Sequence, residues 1–178
     1  MGKLAIMLSK QQHLVLFGFP GSGKTTLAQH LFSSYKIPCF DTDQLVEKQL
    51  GCKRREVPLE MFRNVESEVI ATLPMTPPSV ISLGGGTLLS EKNKEMLLKM
   101  GKLVYLHLDR ETLMARWKKG ALPSFVKNEE EFYKQRLEHY HSLKTDQIDM
   151  TNLSLDEAAK TALALWRPYG KQFLRTTL

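Results

Sequence analysis

The sequence predicts a three-layer α/β/α fold, a five-stranded parallel sheet with helices on both faces, formed by residues 1–178 as a single domain. Three observations predict it. Short apolar runs alternate along the chain with longer segments of helical period, which calls for crossover helices between parallel strands. The first apolar run ends in a glycine-rich turn that opens directly into a helical segment. The chain has 178 residues, of which 42% are hydrophobic, a size and composition suited to one packed core and unlike a disordered chain.

The elements follow in order. His13–Phe17 is a fully apolar run after its histidine and reads as a buried strand ending at Gly18. Lys24–Tyr35 has helical spacing, with Leu27, Ala28 and Leu31 on one side. Residues 37–40 form a second strand that Asp41 ends. Thr42–Leu50 is a helix that Gly51 stops. Residues 58–73 make a longer helix with Met61, Phe62, Val65, Val69 and Leu73 near one face. After the punctuation of Pro74, Pro77 and Pro78 come a third strand at 80–83 and the run Gly84-Gly85-Gly86. Helix Glu91–Met100 precedes a fourth strand at 103–108. Helix 110–119 leads into an irregular stretch, and helix 129–143 follows it. A weak fifth strand at 147–150 and a helix at 155–166, stopped by Pro168, complete the chain. In a parallel sheet of this kind ligands sit at the carboxyl ends of the strands. Four segments meet on that rim: the turn at 18–25, Asp41–Asp43, Gly84–Gly86 and Asp109.

Gly18-Phe19-Pro20-Gly21-Ser22-Gly23-Lys24-Thr25 matches G-x-x-x-x-G-K-[ST] in full, with a strand before it and a helix after it. This is a P-loop in a P-loop NTPase fold, and it implies ATP with Mg²⁺. The glycines let backbone N–H groups turn inward, and the helix N-terminus adds partial positive charge. Gly21, Ser22, Gly23, Lys24, Thr25 and Thr26 are therefore the expected nucleotide-binding residues. Lys24 would reach the β- and γ-phosphates, and the Thr25 hydroxyl would ligate the metal. The motif does not separate a GTPase from a small-molecule kinase. No base-reading Asn-Lys-x-Asp is present, and the chain is short for a motor.

Composition narrows the partners. The net charge of +6 suits anionic ligands. No basic run is longer than Lys53-Arg54-Arg55, and no RNA-binding signature occurs, so no nucleic-acid partner is expected. Cys39 and Cys52 lack metal-ligand spacing and read as reduced thiols. No apolar stretch approaches the roughly 20 residues of a membrane span. Residues 1–12 carry no signal-peptide pattern, and Ile6 breaks the myristoylation pattern. A cytoplasmic monomer without a membrane partner is the expectation.

Three features downstream of the P-loop add to it: Asp41-Thr42-Asp43, then Phe62-Arg63-x-x-Glu66, then Gly84-Gly85-Gly86. Arg136-Leu137-Glu138-His139-Tyr140 adds an Arg-x-x-x-Tyr near the C-terminus. In this order the chain resembles the shikimate kinases, from about residue 13 to about 165. The resemblance implies ATP-dependent phosphorylation of shikimate to shikimate 3-phosphate, a transferase step of aromatic amino-acid biosynthesis. It assigns substrate binding to Asp43 and Arg63 within helices spanning about 42–73, to Gly84, Gly85 and Gly86 after the third strand, and to Arg136 of the Arg-x-x-x-Tyr. It assigns catalysis to Lys24 and Asp43, metal binding to Thr25 and Asp41, and a place near adenine to Arg116. Shikimate is a carboxylate with three hydroxyls, and a pair of guanidiniums suits a carboxylate because their planar forks pair bidentately. Structural readings stand beside these. Arg63 is three residues from Glu66 and suits a helix ion pair. Arg136 suits an exposed helix cation, and Asp41 or Thr42 suits an N-cap.

The chain departs from the family at a small lid, expected at about 117–127. Shikimate kinases usually carry Arg-Pro-Leu-Leu there, whereas this chain reads Leu122-Pro123-Ser124-Phe125. Lys118, Lys119 and Lys127 are the other cations of the segment, and Gly120 suits a hinge. The stretch Thr151-Asn152-Leu153 also lacks an Arg that the family often places near adenine. Two other readings stand beside this one: a related kinase acting on gluconate or a nucleotide, and, because of Leu122, a non-catalytic ATP-binding relative.

Overall fold

The computed structural model describes residues 12–166. Five parallel strands form one sheet: β1 (His13–Phe17), β2 (Cys39–Asp41), β3 (Val80–Ser82), β4 (Gly101–His107) and β5 (Asp146–Asp149), in the spatial order β2-β3-β1-β4-β5. Seven α-helices connect and flank them: α1 (Lys24–Tyr35), α2 (Thr42–Leu50), α3 (Leu59–Thr72), α4 (Glu91–Met100), α5 (Arg110–Arg116), α6 (Glu129–Ser142) and α7 (Leu155–Leu165). Every residue of central β1 is buried, as an apolar run without alternation requires when helices cover both faces. Its register against β3 and β4 pairs Leu16 with Ser82 and with Val104.

Strand edges differ from the sequence reading by one or two residues. β4 begins at Gly101, because Gly101 pairs with His13 and a Cβ there would meet Val15 Cγ2 at 2.6 Å. β2 runs one residue further, through Asp41, which then caps α2 by accepting from Gln44 N at 3.2 Å. The expected helix 110–119 is shorter. α5 stops at Arg116 and a single wide turn, Trp117–Ala121, carries Gly120 at φ 101°. Glycine tolerates that left-handed conformation without Cβ strain. Pro168 lies outside the described residues, as do residues 1–11.

α2 and α3 pack on each other with an apolar cluster of their own, built on Val46, Phe62 and Val69. This pair projects beside the sheet at the carboxyl ends of the strands. α7, opened by a Ser154–Glu157 capping box, buries Ala158, Ala159, Ala162 and Leu163 in the main core. No helix among the described residues is long and apolar enough to cross a membrane.

Candidate active site

The turn between β1 and α1 builds the phosphate cradle. Gly18, Gly21 and Gly23 adopt positive φ, at 151°, 81° and 98°, so the chain wraps tightly before entering α1. A Cβ on Gly21 would meet Ala121 Cβ at 2.9 Å, so the cradle and the start of the lid lie in contact. Two side chains of that segment hold the loop from outside. Trp117 Nε1 donates to Pro20 O at 2.8 Å, and Arg116 Nη1 donates to Gly21 O at 2.7 Å. Arg116 thus stands beside the cradle as a loop brace. Ser22 Oγ is buried without a hydrogen-bond partner.

Lys24 Nζ donates to Gly18 O at 3.0 Å and Phe19 O at 2.8 Å. Burial pushes its ammonium down to about 8, against the pull of Asp43 and Asp41. A desolvated cation in the first turn of α1, beside a turn of positive-φ glycines, is the arrangement a polyphosphate neutralises. Beside it Thr25 Oγ1 donates to Asp41 Oδ2 at 2.9 Å, and Ser82 Oγ lies 3.5 Å from Thr25 Oγ1. Two hydroxyls and a carboxylate at the ends of α1, β2 and β3 form a hard oxygen set, the kind that Mg²⁺ takes together with phosphate oxygens. Among the described residues no three His, Cys, Asp or Glu side chains form a metal-binding cluster.

Beside the P-loop, with Pro20 in its wall, lies a cavity of about 100 Å³, lined also by Asp43, Arg54, Arg63, Gly85, Gly86, Pro123, Phe125, Phe132 and Arg136. Arg63 and Arg136, 73 residues apart in sequence, therefore face one space. The Arg63–Glu66 helix pair is also real, at 2.6 Å. Glu66 is 0% exposed and accepts further from Thr87 Oγ1 at 2.7 Å and Asn93 Nδ2 at 3.4 Å. The pair is thus no surface decoration. A buried carboxylate, held by α4 and the turn before it, aims the Arg63 guanidinium into the cavity. Arg136 Nη1 is buried with no partner, a donor left over for a ligand.

Asp43 sits in the first turn of α2. Burial, with Asp41 and Glu66 nearby, pushes its carboxyl up to about 6, against the lowering pull of Arg54 and Arg63. A carboxylate poised near neutrality suits proton acceptance from a hydroxyl. The triple glycine explains itself by contact. A Cβ on Gly84 would overlap the Asp43 carboxylate, and one on Gly86 would overlap the Arg63 guanidinium. Gly84 N donates to Thr42 Oγ1 at 2.9 Å, and Gly85 O accepts from Tyr140 OH at 2.9 Å. Tyr140 also donates to Gly18 O at 3.2 Å, so the tyrosine of the Arg-x-x-x-Tyr ties the cradle to the glycine run.

Sequence reasoning missed Arg54. It stood inside Lys53-Arg54-Arg55, which reads as a solvated basic run, yet Arg54 is half-buried and turns into the cavity. The lid lysines 118, 119 and 127 are all exposed, and Leu122 is half-buried. Thr26 is exposed on α1.

Comparison with known proteins agrees with this geometry. The family model for shikimate kinase matches residues 20–166. A shikimate kinase of Dictyoglomus turgidum is 32% identical over 156 residues, covering 81% of this chain and 91% of the relative. One from Clostridium botulinum is 37% identical over 145 residues, covering 75% and 85%. Among solved structures, the shikimate kinase from Acinetobacter baumannii in complex with shikimate superposes with a TM-score of 0.74 at 23% identity, covering 98% of this chain and 99% of that one, a likeness of fold.

Proposed function

The chain belongs to the shikimate kinase family, and from that premise we infer that it transfers the γ-phosphoryl group of ATP to shikimate, giving shikimate 3-phosphate and ADP. The observation that supports this acceptor most is the meeting of Arg63, Arg136 and Asp43 in one small cavity beside the P-loop. The two guanidiniums pair with the acceptor carboxylate, which leaves the ring hydroxyls toward Asp43 and the glycine run. Asp43 orients the attacking hydroxyl and accepts its proton. Lys24, released from Gly18 O and Phe19 O, follows charge onto the β- and γ-phosphates. Thr25 and Asp41 would hold Mg²⁺, which neutralises phosphate charge when bound. Arg116 and Trp117 hold the cradle against the lid, and the segment at about 117–127 closes over the site to exclude water.

Every group of both subsites comes from one copy of the chain, which supports a monomer as the working unit. Two unpaired cysteines suit a reducing compartment, here the cytoplasm. A coupled assay of ADP release tests the reading. Shikimate should stimulate release from ATP–Mg²⁺ in a saturable way. No stimulation at any millimolar shikimate concentration would refute it.

A further inference from the structure

Arg54, together with Pro123 and Phe125 of the lid, lines both the acceptor cavity and the larger open groove beside it, about 710 Å³, so the three form the wall between them. The Arg54 guanidinium carbon lies 4.8 Å from the Phe62 ring centre and 4.7 Å from that of Phe125. One ring belongs to α3 and the other to the lid, so the cation is clamped between the two parts that must close on an acceptor. Phe125 in turn meets Phe132 edge-on at 6.5 Å, and Phe132 carries Arg136 over its face at 5.2 Å. The guanidiniums of the cavity are thus set on one aromatic belt.

Charge accounting gives the clamp a purpose. Arg54, Arg63 and Arg136 line the cavity with three positive charges, Asp43 lines it with one negative charge, and the buried Glu66 behind Arg63 adds a second. One positive charge is left over, which matches a monoanion. Glu66 already holds Arg63, and burial, with the neighbouring Arg63 adding to it, pushes the Arg54 guanidinium below its ordinary range. Without Arg54 the charges of these groups sum to zero. The lid lysines do not replace it, because all three are exposed.

We propose that Arg54 is a specificity-determining residue of the acceptor site: held between Phe62 and Phe125, it supplies the positive charge by which the closed cavity selects a monoanionic acid. This rests on the acceptor being shikimate. The planar guanidinium is needed as well as the charge, because it lies over two rings while lining the cavity.

The test compares wild type, Arg54→Leu, Arg54→Lys and Phe125→Ala in steady-state ADP release, with shikimate and with shikimate methyl ester. Arg54→Leu should raise the shikimate KM at least about tenfold and leave the ATP KM within about twofold. Its preference for the acid over the ester should shrink by a similar factor. Arg54→Lys should recover part of both. Phe125→Ala, at a ring 54% exposed and so harmless to folding, should raise the shikimate KM several-fold by unclamping Arg54. An unchanged shikimate KM in Arg54→Leu would overturn the proposal, as would a parallel rise in both KM values with a fall in Tm. A wild type without shikimate-dependent release would instead overturn the acceptor assignment.

Discussion

Replacing Arg63 by alanine should do two separable things. The first is a loss of acceptor binding. A charge-assisted hydrogen bond to a carboxylate is worth about 1.5–3 kcal/mol, so the shikimate KM should rise by roughly 10- to 150-fold. The second is a loss of stability. Glu66 is fully buried and would lose its cation at 2.6 Å, while keeping Thr87 and Asn93 as donors. Removing one partner of a buried pair costs about 3–5 kcal/mol. The partly exposed Arg63 and the surviving donors favour the low end, about 3 kcal/mol. For a chain of this size that lowers Tm by about 6–12 °C. The double variant Arg63→Ala/Glu66→Gln removes the stranded charge as well as the cation. It should regain most of the lost Tm while its shikimate KM stays as high as in Arg63→Ala. Thermal melts and steady-state kinetics on the three proteins read both effects. If the double variant also recovered the wild-type KM, Arg63 would be a structural partner of Glu66 and not an acceptor ligand.

Other outcomes follow from the same geometry. Gly86→Ala places a methyl group against the flexible Arg63 guanidinium, where φ is unstrained; the shikimate KM should rise about tenfold with little change in Tm. Lys24→Ala should lower kcat by about 10²–10³-fold in the coupled assay without unfolding the chain. Asp43→Asn should cost about 10²–10⁴-fold in kcat. The pH profile of kcat/KM should fall on the acid side near 6, where the raised Asp43 carboxyl takes up its proton. Stability has a different window. Burial pushes His13 down to about 4 from 6.5, so its contribution is complete above 6.5 and is lost as pH falls toward 4. Asp43 acts in the opposite sense. Its carboxyl ionises only above about 6 in the folded chain, so its burial is least costly once protonated. His13→Asn should therefore flatten the fall of Tm between pH 6.5 and 4.

Much of this was legible in the sequence where a residue's type alone constrains its surroundings. The P-loop needs its glycines and lysine at fixed offsets, and the strand before it needs an unbroken apolar run. Both stand where they were read. Asp41 serves as a helix cap and as a partner of Thr25 at once, so the two readings of it were never exclusive. The Arg63–Glu66 spacing announced an ion pair but not its burial, which depends on Thr87 and Asn93 arriving from distant segments. Arg54 was illegible for a similar reason. A basic triplet gives no periodicity to say which member turns inward, and the choice is made by two aromatic rings that lie 8 and 71 residues beyond Arg54. The wide turn at Trp117–Ala121 was hidden because the helical pattern continues through it, and only Gly120 marks the break.

The account rests on an anionic acceptor held between Arg63 and Arg136 with its hydroxyls toward Asp43. A crystal structure with ADP, Mg²⁺ and shikimate tests this most directly. The account predicts nucleotide phosphates in the ring of amides at Gly21–Thr25 and the shikimate carboxylate in contact with both guanidiniums. Shikimate bound elsewhere, or lying in the cavity with its carboxylate turned away from both arginines, would contradict it.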